Sequence, residues 1–381
     1  MKSSFPPSRL AVGAMFFLHG LSFSSWGARI PAIKEKLGMS EFVLGTVLFA
    51  IPLGSILSSF AAPWFVERFG SRRVLTLGIL LYSALLIAVG MAETLPSLVF
   101  ALFIFGLSSN LVNVSVNTQA LDLERVMNRS VMASLHGLWS LAGFAGAALG
   151  TLMIAFKIDP ALHFSLVFLF VVVILINAQK YLLPDGRRSM EKQPFFVLPN
   201  RALIGLGGIA FLSMIAEGAM FDWSGVYFQN VIKAEPAWVG AGYAAFMSAM
   251  ASVRFLADRL ADRFGIDSLL KVSGLFIALG LTLSIISPSI SSGIIGFLLV
   301  GAGTSSVVPL VMSQAGKASS YSPGVAIAAV STIGFFGFLL GPPLIGWIAG
   351  ISSLRVSFGL VAVLGLGISG LSHRQFAAKK V

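Results

Sequence analysis

The chain contains no cysteine. That single absence excludes disulfide frameworks, thiolate metal sites and cysteine nucleophiles. Charge is scarce as well: 11% of the 381 residues are Asp, Glu, Lys or Arg, against 56% hydrophobic residues. Soluble globular domains carry about 25% charged residues. A soluble chain this apolar would expose patches that water does not tolerate, which leaves the interior of a bilayer as its solvent. Disorder is excluded too, because its signature is low hydrophobicity. There is no phosphate-binding Gly-x-x-x-x-Gly-Lys loop, which argues against ATP-driven export by this chain. No HExxH or Gly-x-Ser-x-Gly arrangement stands on a loop where it could act, so an enzyme is not expected. No cofactor or metal is expected either.

What the sequence does have is long uncharged runs: residues 10–28, 42–66, 74–92, 94–121, 130–156 and 160–179, then 202–232, 236–253, 272–316, 318–354 and 356–372. Within 202–232 the only charges are Glu217 and Asp222. A helix needs about 20 residues to cross the roughly 30 Å hydrocarbon layer. The 45-residue run at 272–316 therefore holds two spans, divided at Ser287-Pro288-Ser289. Twelve spans result. The first follows Lys2 and Arg9 with no small-x-small cleavage site, so it reads as a retained helix and both termini are expected in the cytoplasm. With alternating spans, 20 of the 26 Lys and Arg fall on the cytoplasmic side, and six, Arg29, Lys34, Lys36, Lys157, Lys233 and Arg355, on the other. Acids divide almost evenly, so the formal charge of +11 is topological and nucleic acid is not an expected partner. A polar connection at 184–200 separates a six-helix bundle at 1–183 from a second at 201–381.

The two halves resemble each other. Glu67-Arg68-Phe69-Gly70 recurs as Asp262-Arg263-Phe264-Gly265, 195 residues on, and at that offset Gly106 matches Gly301 and Gln119-Ala120 matches Gln314-Ala315. Ser140, Gly143, Phe144, Gly146, Leu149 and Gly150 recur 191 residues on, ending in Gly334, Phe335, Gly337, Leu340 and Gly341. Gly20, Phe23 and Gly27 match Gly218, Phe221 and Gly225 at an offset of 198.

Twelve spans, a basic central connection and duplicated acid-Arg-Phe-Gly loops resemble the major facilitator superfamily over the whole chain. The resemblance implies an all-α fold of two parallel six-helix repeats that rock about a midplane cavity. That family's loop after span two reads Gly-x-x-x-Asp-Arg-x-Gly-x-Arg-Arg. Here Glu67, Arg68, Gly70, Arg72 and Arg73 fill the later positions, with Pro63 at the first Gly and Glu67 for Asp. Residues 113–137 and 216–223 are similar to a poorly characterised bacterial inner-membrane branch near the fucose permeases. Superfamily exporters often carry an Arg four residues before a Gly in span four and a Gly-Pro late in span five. Here Leu102 precedes Gly106 and Thr151 follows Gly150, and Gly341-Pro342-Pro343 lies in the other half, which weakens drug efflux.

An ionisable group inside a span costs about 2.5 to 3.5 kcal/mol on insertion scales, so it is expected to face a cavity or a partner. His19 lies about 15 Å along its helix from Arg9, and Glu217 about 24 Å from Arg201. Both are candidate proton-coupling groups, and the 198 offset makes them counterparts although their depths differ by six residues. The structural alternative is an ion pair or cap for Glu217 and a neutral interhelical bond for His19. Asn110, Asn113 and Asn117 fall within about 60° of one another on span four, with Gln119 pointing away. Three carboxamides on one face suit the hydroxyls or amides of a polar solute, or else bond neighbouring helices. His136 and Trp139 are a candidate stacking and hydrogen-bonding pair, and Trp26 and Asp222 join the candidate solute contacts. Trp223 is expected at the lipid interface, and Arg29 near the outer mouth as an anchor or anion contact. Gly143, Gly146, Gly150, Gly334, Gly337 and Gly341 are expected at close helix contacts. Glu67, Arg68, Arg72, Arg254, Asp258, Asp262 and Arg263 are expected to gate the inner side, the alternative being ordinary basic decoration.

These readings converge on a multi-pass protein of a bacterial inner membrane, a monomer taking up a small polar solute, such as a sugar or related metabolite, with the proton as coupling ion. Two rivals stand beside it: a proton-antiport exporter of amphipathic compounds, suggested by 32 phenylalanines and 13 methionines, and a non-transporting sensor or scaffold.

Overall fold

A computed structural model describes residues 7–128, 131–184, 201–317 and 323–377. Almost all of these residues are helical, with no strand among them. Twelve helices are long and apolar enough to span a membrane. In chain order they are α1 Pro7–Lys36, α2 Glu41–Phe69, α3 Ser71–Met91, α4 Leu95–Met127, α5 Ser134–Ala155 and α6 Pro160–Tyr181, then α7 Leu203–Asn230, α8 Pro236–Ala257, α9 Ile266–Ile286, α10 Ile290–Gly316, α11 Val325–Ile351 and α12 Leu354–Phe376. The connection expected at 184–200 lies, beyond Pro184, outside the described residues.

Local sequence sets the helix ends. Thr94 caps α4 and Ser289 caps α10, each reciprocally bonded with a serine three residues on, Ser97 and Ser292. Each box satisfies backbone N–H groups that the first turn leaves without partners. The two boxes are 195 residues apart, an instance of the repeat that the sequence comparison had missed. Gly70 and Gly265 each join two helices at φ of 87° and 79°, a left-handed region that disfavours any side chain.

Two units emerge, one of Met1–Met39 and Val47–Arg188, the other of Ser40–Thr46 and Ser189–Val381. Their internal packing is the same. In the first, α1 packs on α5 and α6, α2 on α4, and α3 on α4 and α6; in the second, α7 packs on α11 and α12, α8 on α10, and α9 on α10 and α12. The register repeats at the residue level too. A Cβ on Gly106 would meet the Ile51 carbonyl, and one on Gly301 would meet that of Phe246, with Ile51 and Phe246 again 195 apart.

The same contacts correct the alignment of α1 with α7. Gly146 meets Leu21 and Ser24, and its counterpart Gly337 meets Phe211 and Met214. Leu21 to Phe211 and Ser24 to Met214 are each 190 residues. Gly150 against Ala28 and Gly341 against Ile215 give 187, so the offset of 198 is too large by eight to eleven residues, roughly two to three helical turns. Glu217 and His19, 198 residues apart, are therefore not counterparts. Their unequal depth in the sequence follows from this.

Residues 40–46 belong with the second unit, unlike the boundary drawn from the sequence. There Glu41 Oε1 accepts from Asn230 Nδ2 at 2.8 Å, Thr46 Oγ1 accepts from Trp347 Nε1 at 3.1 Å, and Gly45 lies against the Gly346 backbone. The chain leaves this unit just before a break at Phe49, where α2 is interrupted. Pro52 causes the break: it has no N–H to offer the Leu48 carbonyl.

Candidate functional site

In the first unit, α4 presents a polar stripe to α1, α3 and α5. Asn117 Nδ2 donates to Asn113 Oδ1 at 3.0 Å and to the Asn113 carbonyl at 2.8 Å. Asn117 Oδ1 lies 3.2 Å from His136 Nε2, and because that oxygen only accepts, His136 donates. One turn nearer the start of α4, Ser109 Oγ lies 3.1 Å from His19 Nε2. The His19 ring stands edge-on to Tyr82 at 5.3 Å and to Trp139 at 6.4 Å, and the His136 ring meets Phe16 at 5.1 Å. Asn110 Nδ2 is buried without an acceptor.

These contacts link Asn113 and Asn117 to His136 and His19 to Trp139, with Asn110 on the same helix as the two asparagines. Ser109 and Tyr82 were not foreseen. Ser109 was findable, since 109, 113 and 117 follow the i, i+4, i+8 spacing of one helix face. Tyr82 gave no signal. Gln119 is turned away as expected: it donates to Ser71 Oγ at 2.8 Å and to the Leu183 carbonyl at 3.0 Å, tying α4 to α3 and to the end of α6.

Trp26 is fully buried, its Nε1 without an acceptor. Arg29 is buried against neighbouring elements instead of facing outward. It is 2% exposed, and donates from Nε to His163 Nδ1 at 3.1 Å and from Nη2 to the Ile158 carbonyl at 2.7 Å. The sequence misplaced it because a cation at a helix end reads alike whether it faces lipid headgroups or a neighbouring helix. Arg29→Ala is expected to cost about 2 to 3 kcal/mol, since it removes two hydrogen bonds from a charged donor and leaves buried acceptors unmet. Arg29→Lys should recover little of this, having no planar fork to reach both acceptors. Thermal unfolding midpoints in detergent check both.

In the second unit Glu217 on α7 is 8% exposed, and its Oε1 lies 4.0 Å from Arg254 Nη2 on α8. Arg254 Nε also donates to the Ser305 carbonyl of α10 at 3.2 Å. Arg254 therefore reaches back along its helix, as helical side chains lean toward the N-terminus, rather than standing only among the loop charges. The hydroxyls of Ser213, Ser224 and Ser306 are buried without hydrogen-bond partners. Asp222, half-buried on α7, has no hydrogen bond or ion pair among the described residues. Trp223 is fully buried instead of lying at an interface.

The remaining expected gate residues lie around two separate loops. Glu67, Arg68 and Arg72 line an open cleft of about 570 Å³ with Phe69, Gly70, Arg73 and Pro184. Asp262 and Arg263 are exposed at the end of the helix that continues α8, with Arg263 over the Phe264 ring at 5.2 Å. The side chain of Asp258 lies outside the described residues. The small-residue stripes do lie at close helix contacts. Gly146 and Gly150 meet Leu21, Ser24 and Ala28; Gly334, Gly337 and Gly341 meet Ala210, Phe211, Met214 and Ile215; and the Gly143 carbonyl accepts from Ser24 Oγ.

The family model described as Major Facilitator Superfamily matches residues 12–323. The chain belongs to the major facilitator superfamily. A relative described as an uncharacterized MFS-type transporter of Yersinia pestis is 32% identical over 354 residues, 93% of this chain and 92% of that one. Among solved superfamily structures, a point mutant of the nucleoside transporter NupG matches with a TM-score of 0.81 at 10% identity, covering 96% of this chain and 99% of that one. The D-xylose-proton symporter matches with a TM-score of 0.73 at 16% identity, covering 96% and 97%. At these identities the structures establish the fold. The protein is a membrane transporter of this superfamily and not an enzyme.

Proposed function

We propose that the protein takes up a small polar solute, a sugar or related metabolite, by alternating access coupled to proton entry. The cell is a bacterium, the membrane its inner one, and the monomer is the working unit with both termini in the cytoplasm. The observation that carries this reading is the cluster on α1, α4 and α5. Its carboxamides, imidazoles and indole offer donors, acceptors and a stacking face to hydroxyls or amides, with no carboxylate or guanidinium among them. An unmet buried donor such as Asn110 Nδ2 costs about 1 to 3 kcal/mol unless a partner reaches it, and a solute hydroxyl or carbonyl is such a partner. The second unit supplies the titratable group, Glu217, with Arg254 Nη2 4.0 Å from its carboxylate. Superfamily members named for nucleosides and for D-xylose with protons share the fold, and that likeness is analogy only.

Uptake by proteoliposomes under an acid-outside gradient tests this, with labelled sugars, nucleosides and polyols as the panel. At least one solute is expected to accumulate above its bath concentration and to leak back when a protonophore is added. If no member of the panel moves, and amphipathic drugs are instead expelled with proton entry, import is wrong. Asn117→Ala breaks the link between Asn113 and His136. It should raise the half-saturation concentration about tenfold, equivalent to about 1.4 kcal/mol, with little loss of stability. Gln119→Ala should do the reverse, lowering stability while leaving half-saturation unchanged.

A further inference from the structure

Helix α10 is not continuous. Its first part, Ile290–Thr304, and its second, Val307–Gly316, are separated by a turn at Ser305 and Ser306. Pro309 explains the interruption: a helix would bond the Ser305 carbonyl to the N–H of residue 309, and proline has none. The carbonyl left over accepts from Arg254 Nε at 3.2 Å. On its other side the same guanidinium places Nη2 4.0 Å from Glu217 Oε1, an ion-pair separation but longer than a hydrogen bond. One cation thus stands between two acceptors on different helices, a carboxylate on α7 and an orphaned carbonyl on α10.

We propose that Arg254 is a positioning residue that transmits the charge state of Glu217 to the break in α10. With Glu217 neutral, the guanidinium rests on the Ser305 carbonyl and holds the break closed. With Glu217 charged, the carboxylate draws the guanidinium away and the break loosens. This deepens the reading of Glu217 as the proton site and rests on it. The other ionisable groups on the packed helices are few. Helices α10 and α11 carry none, α9 carries Asp267 and Lys271, which pair with each other at 2.7 Å near its start, and α12 carries Arg355, His373 and Arg374 toward its ends. On α7 itself Asp222 and Tyr227 lie further along, and Tyr227 donates to the Ser284 carbonyl. On α8 and its continuation stand Tyr243, Asp258, Arg259, Asp262 and Arg263, of which Asp258 is a single turn from Arg254 and is the necessary control.

The test needs no solute. Hydrogen exchange of the segment 301–313 is followed against pH in lipid nanodiscs and corrected for the intrinsic pH dependence of exchange, while infrared spectroscopy follows the carboxyl band removed by Glu217→Gln. In the wild type, exchange is expected to quicken about tenfold as that band disappears, with one midpoint for both. Glu217→Gln should fix exchange at the slow level at every pH. Pro309→Ala restores the missing N–H, so exchange should become slow and independent of pH while the Glu217 band still titrates. Asp258→Asn should leave the wild-type response in place. A pH response that survives in Glu217→Gln, or that Asp258→Asn abolishes, overturns the proposal. A Glu217 band that titrates while α10 stays inert overturns this inference alone, whereas a Glu217 that never titrates removes the proton site itself.

Discussion

Arg254→Met is expected to destabilise the folded protein by about 3 to 5 kcal/mol, because it strands the Glu217 carboxylate in a site that excludes water. The side chains of Arg254 and Glu217 are 19% and 10% exposed, so solvent screens little of that charge. Adding Glu217→Gln should restore most of the loss, leaving about 1 kcal/mol for the Ser305 carbonyl deprived of its donor. Unfolding midpoints of the two single variants and the double variant give the coupling directly. A strictly additive result would mean that the pair at 4.0 Å is a coincidence of packing. The magnitude reflects the cost of an unpaired charge and not the net worth of the pair, since replacing buried pairs by apolar residues of equal volume is often close to neutral.

Gly106→Val and Gly301→Val should each cost about 3 kcal/mol or more, beyond ordinary overpacking. A Cβ at Gly106 would collide with the Ile51 carbonyl oxygen, and one at Gly301 with that of Phe246. In both cases the obstacle is backbone of the facing helix, which cannot rotate aside, so α2 and α4, or α8 and α10, must separate. Close approach of backbones is what associates helices in lipid, where there is no hydrophobic drive between them. Gly370→Val is the control: nothing lies within 4 Å of its added carbon, and it should cost less than about 1 kcal/mol. Equal losses at Gly106 and Gly301 would follow from their equivalence in the repeat. Yield of monodisperse protein and its thermal midpoint report both.

The spans, the repeat at offset 195 and the polar face of α4 were legible because each rests on a periodic or repeated pattern. Charge-free runs mark what can enter a bilayer, and asparagines at 110, 113 and 117 share a face in any α-helix. The match of Gly20, Phe23 and Gly27 failed for a related reason. In a chain with 40 glycines and 32 phenylalanines, short matches of these residues arise by chance, and only backbone contacts fix the register. Trp223 and Arg29 were misplaced because hydropathy gives depth along a helix but not which neighbour a face meets. The partnership of Arg254 with Ser305 depends on a proline four residues beyond the carbonyl it exposes, on a helix distant in sequence. The attachment of residues 40–46 to the second unit gave no sequence signal beyond Pro52.

The most direct test compares wild type with Glu217→Gln in proteoliposomes under an imposed pH gradient, using whichever solute the uptake screen identifies. The wild type should concentrate that solute inside. The variant should still exchange labelled for unlabelled solute across the membrane but stop at equal concentrations on the two sides, since it binds and translocates without a proton to couple. A Glu217→Gln protein that still accumulates solute against its gradient would contradict proton coupling at this residue.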